Sequence, residues 1–329
     1  MRRRELITLL GGAAVTWPLA ARAQAERIRN VGLLLSTRED DADGQARLAL
    51  LRRGFSELGW VEGRNIHFDY RWTGGDVAHA KADAAALVRQ KPDVIVANST
   101  MCLAAIKKET AIIPIVFLVV GDPVGQGFVS SLSHPGGNIT GFTAFEFAIS
   151  GKWLELMKEV APEVRRVAFI FNPEAGPYAE KFMQSIATAA PSSGVNIIAS
   201  PIHDPADIDR VITAVSGEPK GGLIVSPDAF TIANRGLIIS LAARYRLPAV
   251  YAYKFWAVDG GLLSYGHDIY EPWRVAPSYV DRILKGATPA DLPIQQPTKF
   301  ELIINLKTAK ALGLTIPPQL LDRADELID

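Results

Sequence analysis

Small polar residues stand where a buried strand gives way to a helix, at Asn98, Ser99 and Thr100. Hydroxyl groups and the free backbone N–H groups of a helix N-terminus occur together in such a position, and this combination can bind a carboxylate or a phosphate. Ser99 is also a good N-cap, a role that needs no ligand. The two interpretations are compatible because the cap uses one hydroxyl and leaves other donors free.

Two carboxylates, those of Asp122 and Asp228, also follow strand ends, and each lies beside a proline. At the carboxyl edge of a parallel sheet, such groups can face a ligand from opposite sides and hold a cationic group. An aspartate in this kind of turn equally serves as a helix cap or forms an Asx-turn. Both roles stay open for both residues.

Aromatic residues cluster late in the chain, near the ends of predicted strands. They can wall a pocket for an apolar or aromatic group, or they can pack in the core or between domains. Lys254 lies among them and either neutralises an acidic ligand or extends its ammonium to water. The aromatic residues of this cluster are Tyr251, Tyr253, Phe255, Trp256 and Tyr265.

The motifs of common cofactor, metal and catalytic sites are absent from the sequence. Residues 121–127 are rich in glycine, but their order does not match G-x-G-x-x-G, and Pro123 interrupts the loop. Neither a G-x-x-x-x-G-K-[ST] loop nor a G-x-S-x-G elbow occurs. The five histidines lack metal-ligand spacing, and His267 is interpreted as a polar loop residue after a strand. We therefore expect no metal, no cofactor and no catalytic residue.

Composition limits the function further. Among the 329 residues, 35 lysines and arginines balance 35 aspartates and glutamates, whereas a general nucleic-acid-binding protein would carry a basic excess. The single cysteine, Cys102, excludes an intramolecular disulfide and a multi-cysteine metal site, and we expect it to be a buried thiol. The length suggests two domains.

The first 23 residues are typical of a secretory signal peptide. Three arginines precede a short apolar run, and a small-x-small site ends at Ala23. The adjacent arginines suggest the twin-arginine route; the alternative is an amphipathic helix of a cytosolic protein. Cleavage after Ala23 would leave 31 basic and 34 acidic residues, hence a net charge of −3. With no cysteine at that site to carry a lipid, we expect a periplasmic protein.

The rest of the chain alternates strand and helix patterns. Short apolar runs such as 31–35 and 94–97 predict buried strands, and stretches with helical spacing such as 100–109 separate them. This βα repetition predicts an α/β fold with parallel sheets covered by helices. A second series of the same kind begins near residue 152.

Two series of similar size predict two Rossmann-like lobes with a cleft between them, where ligands of α/β proteins bind. We expect an additional strand and helix near 261–284 to return to the first lobe. The first lobe is therefore predicted to comprise residues 27–143 and 252–290. The second is predicted to comprise residues 144–251 and 298–329.

Several motifs resemble those of a large group of bacterial ABC-transporter substrate-binding proteins. They are the leader at 1–14, Leu-Gly-Trp-Val-Glu-Gly-Arg-Asn at 58–65, Gly-Asp-Pro-Val at 121–124, Pro-Gly-Gly-Asn-Ile-Thr-Gly at 135–141, Gly-Leu-Leu-Ser-Tyr-Gly at 261–266, and the eighteen residues 297–314. The resemblance extends from end to end. It implies the hinged type I periplasmic-binding-protein fold, with three crossovers between the lobes.

The resemblance also implies that the loops bearing the residues named at the end of this paragraph line the cleft. Members of the family include proteins that take up amino acids such as tryptophan and tyrosine. Relatives often carry an acidic residue directly after the strand that ends at Tyr251, and this residue would hold the α-ammonium of an amino acid. This chain has Ala252 at that position, so the acidic residue is missing. The departure leaves room for a carboxylate ligand that pairs with Lys254. The predicted ligand-binding residues are Ser36, Asn98, Ser99, Thr100, Asp122, Thr143, Asn172, Tyr178, Asp228, Tyr253, Lys254, Tyr265 and Gly266.

The sequence thus predicts an exported, monomeric solute-binding protein that closes on a small ligand and delivers it to an ABC permease. The ligand would be an amino acid or another carboxylate-bearing molecule, aromatic ones included. Two alternatives stay open: an exported sensor that acts on a membrane receptor, and an exported α/β enzyme with an acid/base set in the cleft. A cytosolic repressor is disfavoured because no helix-turn-helix precedes the first strand.

Overall fold

The computed structural model describes residues 27–144, 146–217 and 220–329. The predicted signal peptide, residues 1–23, lies outside the described residues. Within the described part of the chain, no helix is long and apolar enough to cross a membrane.

Five parallel strands form the first sheet, in the order β2-β1-β3-β4-β5. Continuous apolar runs explain the inner strands β3 and β4, which are buried almost throughout, as expected for a covered parallel sheet. The strands are β1 (Arg29–Leu35), β2 (Ile66–Trp72), β3 (Val94–Asn98), β4 (Ile115–Val120) and β5 (Ile139–Thr143).

Helices cover both faces of this sheet. Leu48, Leu51 and Phe55 of the first helix pack in one apolar cluster, and the next two helices contribute to a second cluster on the opposite side. Asp41 caps the first helix by accepting a hydrogen bond from the Gly44 N–H at 2.6 Å. These helices are α1 (Ala42–Glu57), α2 (Val77–Arg89) and α3 (Thr100–Glu109).

The second sheet has seven strands, in the order β12-β11-β10-β9-β8-β6-β7. All neighbours are parallel except β10 and β11, which are antiparallel. The strands are β6 (Arg166–Phe171), β7 (Asn196–Pro201), β8 (Gly221–Val225), β9 (Ala249–Tyr251), β10 (Leu263–His267), β11 (Phe300–Asn305) and β12 (Glu326–Ile328).

Nine further α-helices accompany the second half of the described chain. They are α4 (Ile149–Val160), α5 (Ala179–Ser193), α6 (Pro205–Ser216), α7 (Ala229–Ala233), α8 (Arg235–Arg244), α9 (Lys254–Val258), α10 (Glu271–Leu284), α11 (Leu306–Leu312) and α12 (Pro318–Leu321). Helices α7 and α8 follow each other directly, with Asn234 between them. Helix α9 and strand β12 are short and lack a distinct pattern in the sequence.

The boundary expected at residue 252 differs in the structure. Strand β10 pairs with β9 and β11 and therefore belongs to the second sheet, whereas α10 packs on α1 of the first lobe. The chain thus crosses after His267 rather than before residue 252. It crosses back after Gln295, whose backbone bonds to Gly141 and Thr143 at the end of the first sheet. With the passage after β5, this makes three crossings between two α/β lobes, the hinged type I periplasmic-binding-protein arrangement.

Candidate functional site

The loops at the carboxyl ends of the two sheets touch each other. Asp122, which follows β4, pairs with Lys181 on α5 of the second lobe. Asp41, at the start of α1, pairs with Arg235 on α8, which also binds Asp259 at 2.7 Å. Two ion pairs therefore join the lobes, and the structure represents a closed arrangement of the cleft.

The first-lobe wall contains the predicted polar residues at the ends of β1 and β3. The Ser36 hydroxyl donates to Asn98 Oδ1 at 2.9 Å, and both side chains are buried. Thr100 Oγ1 accepts from the Gly121 N–H at 3.0 Å. The structure thus brings Ser36, Asn98 and Thr100 together, largely through hydrogen bonds within their own lobe.

Ser99 has an unusual backbone at this point. Its φ is 87°, in the left-handed region that non-glycine residues rarely adopt. Its hydroxyl accepts from the Cys102 N–H at 3.5 Å, a long and weak cap. Strained residues of this kind concentrate at ligand-binding segments, which agrees with the position of Ser99 on the cleft wall.

The second-lobe wall is organised by Asp228, which is fully buried. Its carboxylate accepts from the Asn172 N–H at 3.0 Å and from the Thr231 N–H at 2.9 Å, where it caps α7. Burial raises the pKa of Asp228 to about 6, although these two backbone hydrogen bonds act in the opposite direction. The structure therefore gives Asp228 the capping role among the two that the sequence left open.

The Asn172 side chain also makes its hydrogen bonds within the second lobe. Its Oδ1 accepts from the Ala175 N–H at 2.7 Å, and its Nδ2 donates to the Ile202 carbonyl at 2.9 Å. These contacts shape the loop between β6 and α5. They place the buried Tyr178 against the opposite lobe.

Tyr178 and Thr100 link the two walls at the centre of the cleft. The Thr100 side chain hydrogen-bonds the Tyr178 hydroxyl and lowers its pKa. Burial, with Asp228 and Tyr253 nearby, outweighs this effect and raises the pKa of Tyr178 well above its ordinary value. Residues that the sequence assigned to different lobes thus meet in one place.

Several of the predicted aromatic and glycine residues make packing contacts in the structure. Tyr251 stacks on Trp256 with ring centroids 4.6 Å apart, and Tyr265 stacks on Phe300. Gly266 allows strand β10 to approach the end of β9, because a Cβ there would lie 1.8 Å from the Ala252 carbonyl oxygen. These contacts belong to the second-lobe core.

Lys254 does not join the cleft residues that the sequence grouped it with. It begins helix α9, and its ammonium pairs with Glu326 on β12, at the edge of the second sheet. In the structure the Lys254 ammonium is thus paired within the second lobe, and its pairing with a ligand carboxylate stays a prediction. Thr143 lies at a crossing, where its N–H donates to the Gln295 carbonyl at 2.9 Å.

Two cavities adjoin these residues. The larger, about 460 Å³, opens at the mouth of the cleft, and a smaller one of about 170 Å³ lies beside the three crossings and includes Thr143, His267 and Gln295. The larger volume lies within the usual range of small-molecule sites. It is lined from both lobes, by Arg38, residues 74–78, Asn172, Glu174, His203, Pro205, Phe230 and Asn234.

Sequence reasoning missed one charged residue between the lobes, Arg47. Its side chain is 2% exposed, and its ion-pair partner is Asp43, at 2.8 Å. A signal was present, because Arg47 shares the helical spacing of Leu51 and Phe55 on the apolar face of α1. His267, expected in a loop, is instead the buried last residue of β10.

The described residues assemble no group of three or more histidine, cysteine, aspartate or glutamate side chains that could hold a metal ion. Cys102 is buried, as expected, and burial raises its pKa to about 12, which keeps the thiol protonated.

Comparisons with known proteins agree with this architecture. A model of the ABC transporter substrate binding protein family matches residues 31–328. A tyrosine-binding protein of Clostridioides difficile (strain R20291) is 24% identical over 89% of this chain and 83% of its own length.

Two solved structures superpose closely on the chain. A conserved domain protein of Vibrio cholerae is 28% identical, with a TM-score of 0.82 over 92% of this chain and 100% of its own. The ABC domain of Streptococcus pneumoniae, solved in complex with L-Trp, is 22% identical, with a TM-score of 0.81 over the same shares.

Proposed function

The chain belongs to the family of ABC transporter substrate binding proteins, and from this premise we propose that it is an exported receptor that captures a small ligand and delivers it to a membrane permease. The ligand class is an amino acid or another carboxylate-bearing organic molecule, aromatic ones included. The names of the tyrosine-binding and L-Trp-bound relatives support this class.

The contact between Thr100 and Tyr178 carries the proposal. Thr100 follows β3 of the first sheet and Tyr178 precedes α5 of the second lobe, so their contact requires the lobes to close on each other. A ligand held between such walls has more partners in the closed state than in the open one, and this difference in affinity drives closure.

The energy needed for this switch is modest. Moving the ratio of closed to open molecules from 1:99 to 99:1 takes about 5.5 kcal/mol of differential affinity. Hydrogen bonds that involve charged groups contribute about 1.5–3 kcal/mol each, so a few of them suffice. The three crossings supply the hinge.

Export is the part of the proposal that rests on the leader sequence, residues 1–23. Expression of the full chain in a bacterial host, followed by separation of periplasm and cytoplasm, tests it. The full chain should appear shortened in the periplasm, and a variant that starts at Gln24 should stay in the cytoplasm. Equal distribution of the two forms would contradict export.

A thermal-shift series on the mature chain tests ligand binding, with amino acids, small carboxylic acids and aromatic acids as candidates. A ligand at 100 times its Kd stabilises the folded state by about 2.7 kcal/mol, which is readily measured as a rise in Tm. If none of these classes raises the Tm, the proposed ligand class is wrong.

A further inference from the structure

A buried guanidinium lies between the two lobes. Arg47 of α1 is within 6.0 Å of the Phe255 ring in the second lobe and within 5.6 Å of the Trp273 ring on α10. Stacking on aromatic rings offsets part of the cost of burying a charge. It does not replace hydrogen bonds, because a buried charge remains costly until its donors are satisfied.

The partners of Arg47 are too few for its donors. Its Nη2 lies 2.8 Å from an Asp43 carboxylate oxygen, and its Nε is 3.4 Å from the Asp43 carbonyl. The same carboxylate also accepts from the Tyr270 hydroxyl. A guanidinium has five N–H donors, and the Nη2 of Arg47, although close to Asp43, is buried without a hydrogen bond in the described part of the chain.

Four other polar atoms near Arg47 are buried without a hydrogen-bond partner among the described residues. One is Asp43 Oδ2, which faces Arg47 Nη2 in the ion pair, and the other three are the Tyr253 hydroxyl, the Trp273 Nε1 and the His267 Nε2. The Tyr253 ring is 5.3 Å from His267 and 5.6 Å from Phe255, so the group is contiguous around the guanidinium. Folded proteins seldom leave buried polar atoms unpaired, and several in one place indicate an absent partner.

The chemistry of this group specifies that partner. The guanidinium, the tyrosine hydroxyl and the indole N–H all supply hydrogen-bond donors, and arginine binds carboxylates with two parallel bonds. Burial lowers the pKa of His267 to about 4, so its imidazole is neutral near pH 7 and can also donate. The missing partner is therefore an acceptor with negative charge.

Four acidic residues near the cleft, by contrast, already have partners within the protein. Asp41 and Asp122 pair with cations of the opposite lobe, and Asp228 accepts backbone N–H groups. Asp43 holds Arg47 and Tyr270. These four carboxylates are thus engaged by partners within the protein and are not free to pair with a ligand ammonium.

We infer that Arg47, with the Tyr253 hydroxyl and the Trp273 indole, forms the carboxylate-binding end of the ligand site, and that the ligand needs no ammonium group. This inference rests on the proposed function, because it specifies the ligand of the same cleft. It predicts that removing the amino group from an aromatic amino acid preserves binding, whereas removing the carboxylate abolishes it.

Three related compounds test the inference by titration calorimetry on the mature chain: L-tyrosine, 3-(4-hydroxyphenyl)propionate and tyramine, with the indole series run alongside. The propionate should bind within about threefold of the amino acid, and the amine at least 100-fold more weakly. Binding of the amino acid and the amine but not the propionate would overturn the inference and leave the proposed function in place. If no compound binds, both fail.

Variants locate the site. Tyr253→Phe removes a hydroxyl that has no protein partner, so Tm without ligand should not fall, while affinity for the bound carboxylate should drop about tenfold. Tyr251→Phe, the same change at an equally buried tyrosine outside the group, should leave affinity unchanged. Equal affinities in the two variants would overturn the inference.

Arg47→Met should weaken carboxylate binding at least 100-fold, and Arg53→Met, at an exposed position of the same helix, should not. If Arg47→Met does not fold, the tyrosine pair still decides the question. Unchanged affinity in a folded Arg47→Met protein would refute the role of the guanidinium.

Discussion

Asp122, at the carboxyl end of β4, and Lys181, on helix α5, form an ion pair that crosses from the first lobe to the second. The lysine is about half exposed, so water and salt screen the pair. It contributes to the closed state only as far as an exposed ion pair can, about 0.2–1 kcal/mol.

Lys181→Ala should therefore shift the lobes toward the open state by a small amount. We expect the affinity for the best ligand of the thermal-shift series to fall up to about fivefold at low salt, and less at high salt. Lys152→Ala, which breaks the Lys152–Glu155 pair inside one lobe, is the matched control and should have no effect on affinity. Identical affinities for the two variants at low salt would contradict a role of the pair in closure.

Gly75 is a second point of contact between the lobes, and alanine there should hold them apart. A Cβ on Gly75 would lie 2.7 Å from the Ala229 carbonyl oxygen and 2.8 Å from the Ala233 Cβ, both in the second lobe. We expect Gly75→Ala to weaken ligand binding about tenfold and to enlarge the radius of gyration in the presence of ligand.

Gly74→Ala controls for backbone strain in this experiment. Gly74 also has a positive φ, but its Cβ would meet only the Arg38 side chain, at 3.4 Å. Both variants should lose about 1 kcal/mol of stability for the left-handed backbone, and only Gly75→Ala should lose affinity. Equal loss of affinity in both would show that strain, not contact across the cleft, is responsible.

Most strands of the fold could be predicted because each is a short apolar run that is buried whatever it pairs with. The sheet that β10 joins could not be predicted, since pairing of Leu263 with Val250 and Ile304 depends on contacts distant in sequence. Local patterns identify a strand, whereas the choice of neighbour is decided by tertiary packing.

The candidate site likewise has features that local sequence predicts and features that depend on contacts distant in the chain. The position of Asn98 at a strand end was foreseen from local sequence, and the structure places it on the cleft wall. The partner of Lys254 is Glu326, which is remote in the chain, so no local pattern predicted the pair. Arg47 was detectable, because a charged residue on the apolar stripe of a helix must find a buried partner.

Gly266→Ala should destabilise the second lobe. The added Cβ would lie 1.8 Å from the Ala252 carbonyl oxygen, a contact with backbone that cannot move aside easily. We expect the free energy of unfolding to fall by about 2–3 kcal/mol in urea titrations. Gly236→Ala, in helix α8 with open space around the new Cβ, should instead raise it by up to about 1 kcal/mol. A Gly266→Ala protein as stable as the parent would refute the close approach of β9 and β10.

Asp228 should make the stability of the protein depend on pH in an unusual direction. Burial raises its pKa from 3.8 to about 6, so the folded state holds a proton that the unfolded state has already released between these values. The contribution of Asp228 is therefore most favourable below about pH 4, and it is lost as the pH rises toward 6. A shift of this size corresponds to about 2–3 kcal/mol.

Asp228→Asn isolates this contribution, because asparagine does not titrate. The free energy of unfolding of the parent minus that of the variant should decline by about 2–3 kcal/mol between pH 4 and pH 6 and then stay constant, since only the parent carries the proton. Urea titrations at half-unit pH intervals measure it. Asp204→Asn, at the exposed cap of α6, shows how much an ordinary cap substitution contributes. A difference that rises with pH over this range would mean that the hydrogen bonds from Asn172 and Thr231 outweigh burial and hold the carboxylate ionised.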